Sequence, residues 1–320
     1  MNKNKKYKLG PGEKIPLSFD EAARIMFTNP NRMEPLNFLV SLVLDIPYKE
    51  VEGNISLLPP RQNYMQIGKK KTECDIIVTL NTEEEHIGLI IEINRNSKIH
   101  KTIMNRNIFY MNRLFTSGLK ESEDYGLIND VFLINFNTFY VDNINKEIFD
   151  YYYIQNKYGH LLTEKQKILC VNIAECYKLL YDKDVKFKNS YERKLFYFSC
   201  AMQTNSKEEF EMCLKEAYTT DVIREVILEV SDDMNNSDEL IGLYYDKEED
   251  ERMIRRGIIR EEREEAFAEG KTLGIAEGML QTKKEMIMNM YHKNKLSIEN
   301  IALYTDTDIS KVKEILGLEK

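Results

Sequence analysis

Asp75 and Glu92 are the residues most suited to chemistry, because of where they stand. Each lies in an apolar segment, ECDIIVTL at 73–80 and HIGLIIEIN at 86–94, and the polar run NTEEE joins the two. A hairpin centred between Glu83 and Glu84 sets Asp75 opposite Glu92. The carboxylates then share one end and one face of the hairpin. Asn94, two residues further on, shares that face, and Ile91 and Ile93 point the other way into a core. Facing carboxylates repel, and a divalent cation removes the penalty. Mg²⁺ takes one or two carboxylates together with waters and a phosphate. It lowers the pKa of a water and neutralises charge on the phosphate. Polar strand ends in solvent account for the same spacing, so geometry alone leaves both readings open.

Downstream, HKTIMNRNIFYMNRLF at 100–115 has helical periodicity, with Ile99 just before it and Ile103, Tyr110 and Leu114 near one face. Thr102, Arg106 and Tyr110 lie one turn apart. Lys98, Lys101 and Arg106 are candidates to meet a phosphate backbone beside the carboxylates. A charged, solvated helix face is the alternative. Lys69, Lys70 and Lys71 form a second basic cluster, of a kind that usually marks a loop.

The elements that would position these residues follow from the same patterns. All seven prolines fall within the first 60 residues, so strands and helices beyond can run unbroken. Residues 36–46 have helical spacing, 55–58 read as a strand, and DVFLINF at 130–136 reads as a buried strand. The expected fold class is α/β, with a mixed β-sheet flanked by helices followed by a helical C-terminal region. Three parts are expected: a mixed core over 1–155, a helical region over 156–245 that packs on it, and a charged helical segment over 246–320. The middle part includes EKQKILCVNIAECYKLLY, read as helix. In the last part Gly270, Gly274 and Gly278 recur on one helix face, each costing about 1 kcal/mol relative to Ala. They suit close approach of a partner helix, which makes the C-terminal helices a candidate homo-oligomer contact; a frayed, solvated helix is the other reading. LSIENIALY, with Ser297 as cap, and DISKVKEIL, ended by Gly317, form a short helical pair resembling a helix-turn-helix or a packing hairpin.

Composition narrows the function classes. With 42% hydrophobic and 31% charged residues the chain of 320 can bury a core. It has no apolar run of membrane-spanning length, so no membrane partner is expected. Five cysteines and no CxxC pair argue against a disulfide framework or structural zinc, and fit a cytoplasmic protein. Net charge is −8, but residues 1–110 carry 16 Lys and Arg against 13 Asp and Glu, while residues 111–320 carry 29 against 40. A polyanion would therefore meet the N-terminal part.

The order of several segments resembles the PD-(D/E)XK nuclease superfamily. They are Asp75, the strand ending in Glu92 and Asn94, the run RNIFY from Arg106 to Tyr110, and YGLINDVFLI from Tyr125. Within that superfamily the chain is similar to the recombination-promoting nuclease or transposase-like family of bacteria. DEAARIMF from Asp20, EPLNFL from Glu34, AEGKTLGIAEGM and LSIENIALY fit the same family, so the resemblance covers nearly the whole chain. It implies a restriction-endonuclease-like core and hydrolysis of DNA phosphodiesters dependent on Mg²⁺ or another divalent cation. Asp75 and Glu92 take the metal-binding positions, with Asn94 as third catalytic position and Lys98, Lys101, Arg106 and Tyr110 toward DNA. Glu34 is an extra acidic group by analogy. Asn94 stands where the superfamily signature has Lys and where many members of this family have Gln. An amide can orient a water or accept a contact, but it brings no charge. On this view Asn94→Ala costs little beside loss of either carboxylate, and Lys98 or Lys71 are candidates for the missing cation.

Two functions are therefore weighed. One is a metal-dependent DNA endonuclease of the recombination class. The other is a catalytically weak or inactive protein that keeps the nuclease fold for DNA binding or assembly. A coiled-coil structural protein is disfavoured because the C-terminal helix lacks sustained heptads.

Overall fold

The computed structural model describes residues 7–59, 61–62, 72–83, 86–95, 100–117, 124, 129–141 and 146–318. Two compact units divide the chain, Met1–Asp246 and Lys247–Lys320.

The first unit opens with helices α1 (Asp20–Phe27), α2 (Glu34–Leu44) and α3 (Tyr48–Val51). Strands β1 (Ile55–Leu58), β2 (Arg61–Gln62), β3 (Thr72–Glu73), β4 (Ile76–Asn81) and β5 (His86–Asn94) follow, then helix α4 (His100–Ser117). Next come β6 (Asp130–Asn137), β7 (Phe149–Tyr153) and β8 (Gln166–Asn172). Four helices follow, α5 (Ile173–Lys178), α6 (Ser190–Gln203), α7 (Lys207–Glu216) and α8 (Asp221–Asn235), and the start of the next helix closes the unit. The main sheet is mixed and six-stranded, in the order β1-β4-β5-β6-β8-β7. Its centre, β5-β6-β8, is parallel, and the flanking pairs are antiparallel. β2 and β3 pair separately.

Period-two alternation sorts the strand residues onto two buried faces. Ile76, Val78, Leu89, Ile91, Ile93, Phe132, Ile134 and Phe136 pack with α1, α2 and α5–α8. Ile77, Ile90, Leu133 and Ile168 pack with Met111 and Leu114 of α4 on the other side. Both faces are covered, which is why β5 and β6 read as nearly continuous apolar runs. α4 is the crossover between parallel β5 and β6 and lies close to the sheet. A Cβ built on Gly88 would meet Leu114 Cδ2 at 2.8 Å, so glycine lets this helix seat.

The expectation of a purely helical region from residue 156 is corrected. Residues 166–172 form β8, hydrogen-bonded between β6 and β7. The helix starts only after Asn172, whose side-chain oxygen accepts the Glu175 N–H as an N-cap. KILCVN is an apolar run buried on both faces, and its periodicity does not separate a core strand from a buried helix turn. The division drawn at 155 thus falls between two strands of one sheet.

The second unit holds the later part of α9 (Asp238–His292), with α10 (Ile298–Thr305) and α11 (Ile309–Leu316). Ile287, Ile301, Ala302 and Val312 form its core. Ser297 accepts the Asn300 N–H to cap α10, and Gly317 at φ 68° ends α11, as the sequence indicates. Among the described residues, a Cβ added at Gly270, Gly274 or Gly278 would meet nothing within 4 Å. No helix among the described residues is long and apolar enough to cross a membrane. The five cysteines are buried and free.

Candidate functional site

The hairpin register pairs Ile76 with Ile91, and one step further sets Asp75 opposite Glu92, as the spacing predicts. The end of the hairpin departs from simple alternation. Cys74 packs with Ile77, Ile90 and Tyr110 on the α4 side, while Ile76 packs on the opposite side, so the chain bends at Asp75. Asp75 Oδ2 accepts the Ile93 backbone N–H at 2.7 Å, and the Asp75 N–H donates to Glu92 Oε1 at 3.3 Å. Asp75 and Glu92 are therefore tied across the hairpin, Asp75 through its carboxylate to a β5 N–H and Glu92 through its carboxylate to the Asp75 N–H. The cause is local: the Asp75 side chain satisfies an N–H that the ending ladder would leave without an acceptor.

Asp75 lines a cleft of about 280 Å³ together with Asp20, Glu21, Ala23 and Arg24 of α1, and Cys74, Ile76 and Ile93. Asp20 and Glu21 are thus the helix acids near Asp75. Glu34, expected by analogy, starts α2 and is not among the residues lining this cleft.

Glu92 is 3% exposed and faces α4. Its Oε2 pairs with Arg106 Nη2 at 3.0 Å. Burial pushes its carboxyl up to about 8, and the Asp75 charge adds to this; Arg106, the Asp75 N–H and the Cys74 thiol oppose it. Arg106 Nη2 also donates to Asn94 Oδ1 at 2.6 Å. Asn94 Nδ2 in turn donates to Asn137 Oδ1 at 3.0 Å and to Asn135 Oδ1 at 3.4 Å.

The asparagines fall in rows set by strand register. Across β5, β6 and β8 the α4-facing rows read Ile90, Leu133, Ile168, then Glu92, Asn135, Cys170, then Asn94, Asn137, Asn172. The face changes from apolar to polar toward the carboxyl ends of the parallel strands. Asn135, Asn137 and Asn172 were not singled out from sequence. The signal for Asn135 and Asn137 is present in INFN, where two amides alternate within an otherwise apolar strand.

The residues assigned to DNA separate. Arg106 is a partner of the carboxylate site. Tyr110 is 9% exposed and packs in the α4-side core, with Arg106 over its ring at 5.8 Å. This corrects its assignment to a DNA-facing surface: it lies on the buried stripe that seats the helix. Lys101 stands in the first turn of α4, and its side chain lies outside the described residues, as do Lys98 and Lys69–Lys71.

Among the described residues no three His, Cys, Asp or Glu side chains form a group able to hold a metal. The donor chemistry nevertheless suits a hard divalent cation. Asp75 and Glu92 offer carboxylate oxygens, and Glu92 is deeply buried. Mg²⁺ needs no more than one or two carboxylates when waters and a phosphate complete its shell. Comparison of the chain with protein-family models, with curated proteins and with solved structures finds no match.

Proposed function

We propose that the protein is a metal-dependent DNA endonuclease of the recombination-promoting, transposase-like class, working in the cytoplasm, and that its sheet is a restriction-endonuclease-like core. One observation carries this reading. The β4–β5 hairpin and the α4 crossover gather Asp75, Glu92, Asn94 and Arg106 at one end of a mixed sheet. Asp75 and Glu92 would hold the cation.

Hydrolysis of the phosphodiester forms a bond from a water oxygen to phosphorus and breaks a phosphorus–oxygen bond to a sugar. The attacking water loses a proton to solvent, and the departing sugar oxygen gains one. Bound at the carboxylates, Mg²⁺ supplies charge neutralisation at the phosphate and lowers the pKa of a nearby water. Within the chain, Asp75 ties the strand ends together and Asn94 holds Arg106 by its amide oxygen. Arg106 offsets part of the charge on Glu92. The test is nicking of plasmid DNA by purified protein in Mg²⁺, Mn²⁺ or Ca²⁺, beside Glu92→Ala.

A second reading keeps the fold and DNA binding but not turnover. It is favoured by the engagement of both Glu92 oxygens, by the Asp75 N–H and by Arg106, and by the uncharged Asn94. DNA binding without metal-dependent nicking would select it.

A further inference from the structure

Arg106 is held in the carboxylate site from two directions. Its Nη2 lies 3.0 Å from Glu92 Oε2 and 2.6 Å from Asn94 Oδ1. α4 fixes the approach, because Ile103, Tyr110 and Leu114 bury the stripe that seats the helix, and the guanidinium lies over the Tyr110 ring. Asn94 is oriented in turn, since its Nδ2 is committed to Asn135 and Asn137 and its oxygen therefore faces Arg106. The guanidinium is thus preorganised.

The Arg106 side chain as a whole is 25% exposed, while its Nε is shut off from solvent and has no acceptor among the described residues.

Resting on the nuclease reading above, we propose that Arg106 supplies from α4 the positive charge that β5 lacks at Asn94, and that Asn94 is the residue that positions it. The geometry suits a fixed charge. A guanidinium stays protonated and presents planar, paired donors that match phosphate oxygens. It steadies charge growing on the phosphate and cannot accept the water's proton, which goes to solvent. The arrangement also gives Asn94 a purpose that its lack of charge otherwise obscures. A lysine there would bring its own cation; an amide borrows one from the facing helix.

The test is a charge swap in the full-length chain, with three readouts: nicking rate at saturating DNA in Mg²⁺, DNA affinity in Ca²⁺, and thermal midpoint. Arg106→Gln should slow nicking by about 10²–10³-fold at saturating DNA and lower the thermal midpoint. Adding Asn94→Lys to Arg106→Gln should recover at least about a tenth of the lost rate and most of the thermal midpoint. Arg106→Lys keeps the charge without the fork and should fall between wild type and Arg106→Gln in both. The proposal is overturned if Arg106→Gln nicks normally at saturation and loses only affinity, with a shallower salt dependence, since Arg106 is then an ordinary backbone contact. It is equally overturned if the double variant recovers neither rate nor thermal midpoint. Should the wild type nick nothing, the nuclease reading falls, and the thermal midpoints of the swap still decide whether a cation at Asn94 replaces Arg106.

Discussion

Ile93 donates its backbone N–H to the carboxylate of Asp75 at 2.7 Å, closing the β4–β5 hairpin where the ladder ends. Asp75 is therefore both an end-clamp for two strands and a charged wall of the α1 cleft. Substitution can separate the two roles.

Asp75→Asn keeps an acceptor oxygen for Ile93, and Asp75→Ala does not. Asp75→Ala should cost about 1–3 kcal/mol through the abandoned N–H, and Asp75→Asn clearly less. Both should abolish nicking if the carboxylate charge is needed. Urea unfolding beside the nicking assay checks this, and equal stability of the two variants would remove the clamp.

Asn94→Ala should be more damaging than its uncharged side chain suggests. It strips Arg106 of an acceptor and leaves Asn135 and Asn137 without their donor, at a cost of about 1–3 kcal/mol. Nicking should fall, though by less than for Glu92→Ala. An Asn94→Ala protein as stable and active as wild type would show that the amide row positions nothing.

The register of Asp75 and Glu92 was legible because side-chain period and loop length together fix a hairpin. The bend at Asp75 was not, since it arises when an acidic side chain replaces a missing strand carbonyl. Arg106 was recognisable as basic and near the site, but its partners depend on how the crossover helix lies on the sheet, which periodicity does not give. β8 was hidden by continuity: its apolar run passes directly into α5, and only the cap at Asn172 marks the junction. Asp20 and Glu21 lay in a segment matched only by resemblance, and folding brings α1 to the end of β4.

Gly88→Ala tests the seating of α4. The added methyl would lie 2.8 Å from Leu114 Cδ2. Overpacking of this kind costs about 1–3 kcal/mol. Because the same helix carries Arg106, nicking should decline as well. Leu114→Ala, combined with it, should give a smaller total loss of stability than the two single losses together, measured by chemical denaturation. Strict additivity would mean that the two residues do not crowd.

Lys14 supplies a pH dependence away from the site. It is 1% exposed, its Nζ donates to Ile15 O at 2.7 Å, and Phe210 covers it at 4.1 Å. Burial lowers its pKa from 10.5 to about 7. The unfolded chain therefore binds the proton more strongly between those values. This contribution to stability is fullest above pH 10.5, is lost as pH falls toward about 7, and is flat below. Lys14→Met should remove that slope and stabilise the protein at pH 7 by about a few kcal/mol. Unfolding free energies measured from pH 6 to 10 check it, and an unchanged slope in Lys14→Met would contradict it.

The most direct measurement of the central claim is nicking of supercoiled plasmid by purified wild type and Glu92→Ala, each with Mg²⁺ and with EDTA. The account predicts slow nicking by the wild type in Mg²⁺, none in EDTA, and none by Glu92→Ala under either condition. Nicking that persists in Glu92→Ala, or a wild type that binds DNA but does not nick it in Mg²⁺, would contradict it.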